Sequence, residues 1–362
     1  MVFSKIQVGL SASIGFSILA IARVPAVNAA ILVGNTESNN IVIFDEQTGR
    51  YGGEFIPAKG EFYELTSPDD LTFGLDGNLY ISVGDNTSGA ILRFDGKTGT
   101  FLNRFDQGGM LMRPYGTAFG PDGNLYVSSF RSDQILRYSG TTGDFIDVFA
   151  SGNGTANGLN GPNDLLFDDN GELYVTTQGS VADGTGEISY EFSSQVLRYN
   201  IFAPASEAIV FDEPTAAPDS AGFVSLLGLA FGTQDDLIVS DFANAVRRYD
   251  LTTGDLLGEF SSSFPGFLGN IAIDPDGNLY TPGFDFLNGN IGAVSRFDPN
   301  GNPLPSIGES GSVFIPATTN LKRPIGIAYI SNKVPEPGTI LGLLGVAALG
   351  LRLRQRTQPD RS

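Results

Sequence analysis

The sequence predicts an all-β fold, a six-bladed β-propeller, and three observations support this prediction. A five-residue stretch, Asp-Gly-Asn-Leu-Tyr at 122–126, recurs in close or weaker form at Asp76–Tyr80, Asn170–Tyr174, Gln234–Ile238 and Asp276–Tyr280. An arginine followed by a phenylalanine or a tyrosine comes after each copy. The chain also holds 47 glycines and 27 phenylalanines, which favours many turns and strands. Repeats of roughly 40–50 residues built from turns and short strands are typical of propellers.

The composition limits the chemistry that the protein can perform. The chain of 362 residues has no cysteine and no histidine. It therefore lacks thiolate sites, the commonest general base and the commonest transition-metal ligand. Its net charge of −19 at pH 7 repels nucleic acids and anionic lipids, so we expect no nucleic-acid partner. Such a charge suits a solvated extracellular protein or one that binds divalent cations.

Residues 1–29 are typical of a secretory signal peptide. Lys5 precedes an apolar run from Val8 to Ile21, and Val27 and Ala29 form a small-x-small cleavage site. An N-terminal membrane anchor is the alternative, but the apolar run is short and interrupted by serines. The sequence therefore predicts export, with signal peptidase as a processing partner.

The segment Tyr115–Ala150 shows most clearly how one blade is built. Four strands are predicted at Gly116–Gly120, Asn124–Phe130, Gln134–Ser139 and Phe145–Ala150. Turn sequences such as Pro-Asp-Gly separate them, and four antiparallel strands make one propeller blade. The same pattern predicts further blades at Leu71–Asp106, Asn163–Phe211, Leu226–Phe260 and Phe267–Phe314.

The two ends of the repeat region complete each other. Ile31–Ile56 predicts strands two to four of a blade that lacks its first strand. Arg323–Tyr329 is similar to Arg113–Phe119, which leads into a first strand. Pairing the strand at about 325–330 with the N-terminal blade closes the ring, supplies the sixth blade and leaves no exposed sheet edge there. We therefore expect the propeller to span residues 31–332.

Two long connections are predicted to crowd one mouth of the channel. Gln178–Ser194 is inserted between strands two and three of its blade, and Ala203–Val224 leads to the next blade. In an up-and-down blade, these connections emerge on the same face as the starts of the inner strands. They indicate either a binding mouth or tolerated loop growth.

Polar residues that are not part of the repeat stand where the inner strands begin. We expect them to converge at this mouth and bind a polar ligand, although capping strand ends is an alternative role. They are Asp69, Asp70, Arg113, Tyr115, Asn163, Asp164, Asn270 and Arg323. Asn163 and Asp164 also offer oxygens to a metal ion, with calcium as the candidate cofactor. No catalytic residue is predicted.

Two repeated features have structural interpretations. Asp274–Asn278 indicates a tight turn, with the start of a calcium loop as the alternative. The arginine–aromatic pairs, such as Arg137-Tyr138, are predicted to stack or form salt bridges between blades.

The composition changes from Val334 onward. Val334, Pro335, Glu336 and Pro337 precede thirteen apolar or small residues, which the arginines Arg352, Arg354 and Arg356 follow. Thirteen helical residues span about 20 Å, less than the ~30 Å hydrocarbon core of a membrane. This pattern, residues 334–356, resembles the PEP-CTERM sorting signal of bacterial exosortase substrates. The resemblance implies export, transient anchoring by the tail, cutting near Pro-Glu-Pro by an exosortase-type enzyme, and release to the cell surface or extracellular matrix.

The repeats resemble six-bladed propellers of the gluconolactonase/regucalcin and NHL-repeat families. Gly161–Gly171 is similar to the Arg-Pro-Asn-Asp stretch of the lactonase family, which implies that Asn163 lies in a pocket. The family's metal ligands in the next two blades align with Leu227-Gly228 and Gly269-Asn270, which depart from its pattern. The related streptogramin lyases depend on a histidine, which this chain lacks.

Together these features predict a non-catalytic binding or scaffold module at the cell surface or in an extracellular matrix. Its expected partner is a polar ligand, a polysaccharide or a protein, and we expect membrane contact only through the C-terminal tail before processing. The alternative is a divergent metal-dependent lactonase or hydrolase.

Overall fold

The structure, a computed structural model, describes residues 29–185, 187–204, 208–214 and 224–331. The predicted sorting tail and the predicted signal peptide, apart from Ala29, lie outside these residues. Within the described ranges, no helix is long and apolar enough to cross a membrane. The described residues form six antiparallel sheets of four or five strands, which are the blades of a propeller, and one small two-stranded sheet, so the predicted fold is confirmed.

The first three blades occupy residues 30–151 and include one strand from the far end of the chain. Blade 1 consists of β1 (Ala30–Asn35), β2 (Asn40–Asp45), β3 (Tyr51–Ile56) and β27 (Pro324–Ile330). Blade 2 consists of β4 (Asp70–Phe73), β5 (Leu79–Gly84), β6 (Gly89–Phe94) and β7 (Phe101–Arg104). Blade 3 consists of β8 (Pro114–Phe119), β9 (Asn124–Ser129), β10 (Gln134–Ser139) and β11 (Phe145–Ser151).

The last three blades carry the irregular features. Blade 4 consists of β12 (Pro162–Phe167), β13 (Glu172–Thr177), β16 (Val196–Asn200) and β17 (Ile209–Asp212), with an inserted hairpin of β14 (Ser180–Ala182) and β15 (Ile188–Tyr190). Blade 5 consists of β18 (Leu226–Phe231), β19 (Asp236–Asp241), β20 (Ala245–Asp250) and β21 (Leu256–Phe260). Blade 6 has a split inner strand, β22 (Phe267–Leu268) and β23 (Ala272–Ile273), followed by β24 (Leu279–Asp285), β25 (Ile291–Phe297) and β26 (Val313–Lys322).

The ring closes through the last strand, as the sequence predicts. Strand β27 pairs antiparallel with β1, with Leu32 opposite Ala328 and Ile31 opposite Tyr329. Asn35 reinforces the junction, because its Oδ1 accepts from the Lys322 backbone N–H at 3.0 Å. Its Nδ2 donates to a backbone carbonyl of β26, also at 3.0 Å. No blade is therefore left without its inner strand.

The repeated Asp-Gly-Asn-Leu-Tyr stretch folds as one local unit. Asp122 Oδ1 accepts from the Asn124 backbone N–H at 3.1 Å, and Asp122 Oδ2 accepts from the Tyr126 hydroxyl at 3.0 Å. Gly123 adopts a φ of 79°, a conformation that glycine takes without strain. Asp274 accepts from backbone N–H groups in the same way, so the turn interpretation of that copy is confirmed.

The repeat tyrosine also joins neighbouring blades. Tyr126 is buried, and its ring meets Phe167 of the next blade edge-on, with ring centroids 4.9 Å apart. Tyr80 meets Phe119 in the same way, also at 4.9 Å. Burying one aromatic side chain stabilises a fold by about 1.5–3 kcal/mol, so each copy of the repeat contributes to blade cohesion.

The arginines of the arginine–aromatic pairs lie within single blades. Arg137 pairs with Asp147 at 2.6 Å, and Arg248 pairs with Asp236 at 2.6 Å. Both partners belong to the blade of the arginine, so these salt bridges do not link blades. Each arginine lies on the third strand, where the carboxylates of the flanking strands of the same sheet are nearest.

The predicted stacking between blades is made by the aromatic members of the pairs. The ring centroids of Tyr199 and Phe149 of blade 3 lie 5.8 Å apart, and those of Phe297 and Phe260 of blade 5 lie 4.7 Å apart.

Candidate functional site

The inner strands begin with two rows of residues that line the channel. We define the waist row as the residue of each inner strand that stands two positions before the partner of the repeat tyrosine, or of its equivalents Ile238 in blade 5 and Leu32 in blade 1. It consists of Asp70, Gly116, Asp164, Gly228, Asn270 and Gly326. The residues just before these form the mouth row, which consists of Asp69, Tyr115, Asn163, Leu227, Gly269 and Ile325. The rows show that the predicted site residues belong to two depths of the channel.

Six of the eight predicted residues line one pocket at the channel mouth. The pocket encloses about 180 Å³. The six are Asp69, Arg113, Tyr115, Asn163, Asn270 and Arg323. The structure therefore brings together side chains from five blades that are distant in sequence.

Asp70 and Asp164 face a different cavity. This second cavity, of about 650 Å³, opens toward the first hairpin turns of the blades, where Leu75 and Pro121 lie. Asn270 lines both cavities and so marks the level at which they meet. Placement at two depths is a consequence of strand geometry, because each residue advances about 3.3 Å along a strand.

Arg113 is held tightly in the mouth pocket. It precedes Pro114, and its own φ is 51°, a left-handed conformation that is costly for a non-glycine residue. Its Nη2 lies 3.2 Å from Asp69 Oδ2, and its Nη1 donates to the Gly84 carbonyl at 3.2 Å. Its guanidinium also lies over the Tyr115 ring, 5.3 Å from the centroid. These contacts fix the charge of Arg113 on one wall of the pocket.

Asp69 is a buried carboxyl group with a perturbed pKa. Burial raises the pKa of Asp69 from 3.8 to about 6, although the nearby charges of Arg113 and Arg323 lower it. A titratable group of this kind inside a pocket indicates a functional site more often than a surface carboxylate does.

Arg323 has the same backbone conformation but forms no ion pair within the described residues. Its φ is 47°, and its guanidinium lies 5.8 Å from the centroid of the Phe284 ring. Among the described residues, no acceptor receives a hydrogen bond from this side chain and no carboxylate pairs with it. The exposed guanidinium at the rim is therefore available to a ligand.

Sequence reasoning missed the aromatic side of the mouth. Phe242, Phe267, Phe284 and Phe286 border a recess of about 310 Å³ that Arg323 also lines. Phe242 and Phe267 stack with ring centroids 4.3 Å apart, and Phe286 is 65% exposed. A signal for two of these residues is present in the sequence, since Asp241-Phe242 and Asp285-Phe286 both follow second strands.

The insertion in blade 4 forms part of the mouth, as predicted from its position. Gln178 and Tyr190 line the pocket. Asp133 anchors the inserted hairpin, because its Oδ1 accepts from the Gly161 backbone N–H at 2.8 Å and its Oδ2 accepts from the Ala182 backbone N–H at 2.6 Å.

The C-terminal sequence matches a known family. The family described as the PEP-CTERM protein-sorting motif matches residues 333–356. The chain carries a PEP-CTERM sorting motif. This motif indicates an exported protein that is sorted to the cell envelope, and it agrees with the predicted sorting residues.

The propeller is similar to solved structures at low sequence identity. A chain of a nidogen/laminin complex is 14% identical with a TM-score of 0.55, and the alignment covers 83% of this chain and 98% of that one. A Bacteroides caccae protein of unknown function is 14% identical with a TM-score of 0.53, and the alignment covers 84% of this chain and 99% of that one. Virginiamycin B lyase from Staphylococcus aureus is 16% identical with a TM-score of 0.48, covering 76% and 80%. No curated protein matches the PEP-CTERM chain. The two similarities above 0.5 support the fold alone.

Proposed function

We propose that this PEP-CTERM protein is a non-catalytic binding module of the cell surface or extracellular matrix. Signal peptidase removes residues 1–29, and an exosortase-type enzyme cuts near Pro335-Glu336-Pro337. The mouth pocket of the propeller then binds an extracellular ligand. The observation that carries this proposal is the unpaired guanidinium of Arg323 between a polar pocket and an aromatic recess.

The ligand that fits this mouth best is an acidic polysaccharide. Two arginines and one carboxyl line the pocket, so its charge is opposite in sign to that of the whole chain. A ligand carboxylate can form paired hydrogen bonds with a guanidinium. The amides of Asn163 and Gln178 can exchange hydrogen bonds with hydroxyl groups, while aromatic rings bury the apolar face of a sugar.

Calorimetric titration of the full chain tests the ligand class. An oligosaccharide of galacturonic acid is expected to bind, while the matching oligosaccharide of galactose binds at least tenfold more weakly. Arg323→Gln is expected to remove this difference, and Phe286→Ala is expected to weaken both sugars. Arg50→Gln, in the turn between β2 and β3 and distant in the sequence from Arg323, is the matched control. Equal binding of the two sugars, or no binding of either, contradicts the assignment.

Cell fractionation tests the processing step. Alanine substitution of Pro335, Glu336 and Pro337 is expected to keep the protein in the membrane fraction at its unprocessed mass. The unaltered protein is expected to be released in a shorter form. Release of the altered protein at the same rate contradicts processing at this motif.

A metal-dependent lactonase or hydrolase is the second candidate, and one observation favours it. The pKa of Asp69, raised by burial to about 6, suits a general base. Against it, apolar Leu227 and Ile325 stand in the mouth row where a metal would need oxygen ligands. If the protein hydrolyses lactones or esters, and if Asp69→Asn abolishes this activity, the hydrolase function replaces the binding proposal.

A further inference from the structure

The chain enters and leaves the propeller on the face opposite the mouth. Strand β27 begins beside Arg323 of the mouth pocket and ends seven residues later at Ile330. Ile330 is paired with Ala30, the first residue of β1. The Tyr329 hydroxyl donates to Glu46, which lies in the turn between β2 and β3. The segments that precede and follow the propeller therefore emerge side by side, at the far end of the blade from the pocket.

We call this the turn face, because the turns after the first and third strands of the blades lie on it. Leu75 occupies the turn between β4 and β5, and Ile307 lies in the connection between β25 and β26. Connections after second and fourth strands lie on the mouth side, where Leu287 follows β24 and Met110 follows β7. All four side chains are exposed. They therefore mark the two faces at positions where a substitution leaves the core untouched.

The link between the propeller and the apolar run of the tail is short. The described fold ends at Ser331, and the apolar run begins at Thr339, so seven residues lie between them. Seven extended residues span at most about 25 Å. When the tail is inserted in a membrane, the point at which the chain leaves the turn face therefore stays within this distance of the lipid.

This link cannot bring the mouth round to the membrane. The chain would first have to cross its blade from β27 to the outer strand β3, about 14 Å for three strand spacings. It would then have to follow the height of the blade, about 23 Å for a seven-residue strand. The channel offers no shorter route, because all six residues of the waist row are buried. The link is therefore too short for an inverted propeller while the tail is anchored.

We propose that the turn face lies toward the membrane, and the mouth points away from it, for as long as the tail anchors the chain. The mouth pocket is then open to its ligand before the tail is cut. The enzyme that cuts the tail has to approach between the turn face and the membrane. This orientation rests on the anchoring tail of the proposed function, but it does not depend on the chemical nature of the ligand.

Energy transfer from single-cysteine variants tests the orientation. The chain has no cysteine, so one substitution places one donor fluorophore. Residues 30–362 are inserted in phosphatidylcholine vesicles that contain an acceptor-labelled lipid. Transfer from Leu75→Cys on the turn face is expected to be at least threefold stronger than transfer from Leu287→Cys at the mouth. Ile307→Cys and Met110→Cys repeat the comparison at a second position on each face.

Two controls separate orientation from anchoring. Truncation after Ser331 removes the tail and is expected to abolish energy transfer from both faces. A maleimide linked to a bulky polymer is expected to modify Leu287→Cys equally fast in the anchored and the truncated chain. It is expected to modify Leu75→Cys at least threefold more slowly in the anchored chain, because the membrane shields the turn face.

The outcomes distinguish this proposal from the proposed function. Equal transfer from the two faces, or stronger transfer from the mouth, overturns the orientation and leaves the anchoring by the tail intact. Transfer from neither face of the untruncated chain shows that the tail does not anchor the protein. That result overturns the orientation together with the processing step of the proposed function.

Discussion

Four hydroxyl side chains fasten neighbouring blades at the wall of the channel. The Ser128 hydroxyl accepts from the Gly116 backbone N–H at 2.8 Å and donates to the Asn163 carbonyl of the next blade at 2.5 Å. The equivalent bridges are made by Ser82, Thr176 and Ser240. All four residues stand two positions after the repeat tyrosine or its isoleucine equivalent. One atom in each of these blades thus satisfies two buried backbone groups.

Replacing Ser128 with alanine is expected to destabilise the propeller by about 1–3 kcal/mol, because two buried backbone groups lose their partner. Urea denaturation followed by circular dichroism measures this change. Ser128→Thr is the matched control, since Thr176 makes the same bridge in blade 4. An alanine variant as stable as the unaltered chain would show that water replaces the bridge without cost.

Carboxyl groups in the exposed turns make the stability of the fold depend on pH in the acidic range. The Thr48 side-chain hydrogen bond, with two backbone hydrogen bonds, holds the pKa of Asp45 below its usual 3.8 despite a smaller opposing effect of burial. A carboxyl whose pKa is lower in the folded state stabilises the fold above pH 3.8 and loses this contribution as pH falls further. Asp95 and Asp250 have pKa values lowered by similar turns.

Thr48→Val is therefore expected to make the melting temperature fall less steeply as the pH drops below about 4. The effect is small, under about 1 kcal/mol, since the carboxyl group is largely in water. Thr141→Val, a turn residue without such a contact to Asp45, is the control. Identical melting curves across this pH range for all three proteins contradict the assignment.

The inserted hairpin is the element that distinguishes blade 4 from the others. Asp133 lies in blade 3, and its carboxylate accepts from backbone N–H groups at both the start of blade 4 and the hairpin. The hairpin thereby brings Tyr190 to the mouth. The Asp133 side chain thus joins the hairpin to blade 3, while backbone hydrogen bonds from Gln178 and Gly179 hold the base of the insertion.

Asp133→Ala is expected to release the hairpin while the remaining blades stay folded. Hydrogen exchange of residues 180–190 is expected to quicken at least tenfold, because the anchoring hydrogen bond is lost. Asp144→Ala, in a surface turn of the same blade, is the control. Unchanged exchange in the hairpin would show that other contacts hold it.

The elements that sequence reasoning located correctly are those whose cause is local. Asp122–Tyr126 forms its own turn through contacts within five residues, so its copies mark the blades directly. The split of the first strand in blade 6 was not predicted, because it depends on Asn270 donating its backbone N–H to Ile325 of blade 1. The aromatic recess was missed for the same reason, because it depends on contacts between residues that are distant in the sequence.

At the scale of the whole molecule, the ring is stabilised by a strand from its far end. Leu32, Val33 and Ile327 are buried where β1 meets β27. Without β27, the first blade would expose the edge of β1 and part of its apolar face. The strand is therefore required for a closed channel and not only for the first blade.

Truncation after Lys322 is expected to convert the propeller into an aggregating, partly folded chain. Size-exclusion chromatography and circular dichroism measure this outcome. Truncation after Ser331, which removes only residues beyond the described fold, is the control and is expected to leave the elution profile and the circular dichroism spectrum unchanged. A soluble, cooperatively melting product from the shorter chain contradicts a closing role for β27.

The position of the closing strand also sets an order of events during export. The first strand of the chain has to wait for the last strand, so the ring cannot be completed until the whole repeat region has been synthesised and translocated. The closing strand ends at Ile330, and the sorting motif begins at residue 333. Completion of the ring and presentation of the cleavage signal therefore fall at almost the same point of the chain. A chain that stops before the closing strand lacks both a closed ring and the sorting motif, so every chain that carries the motif is long enough to close the ring.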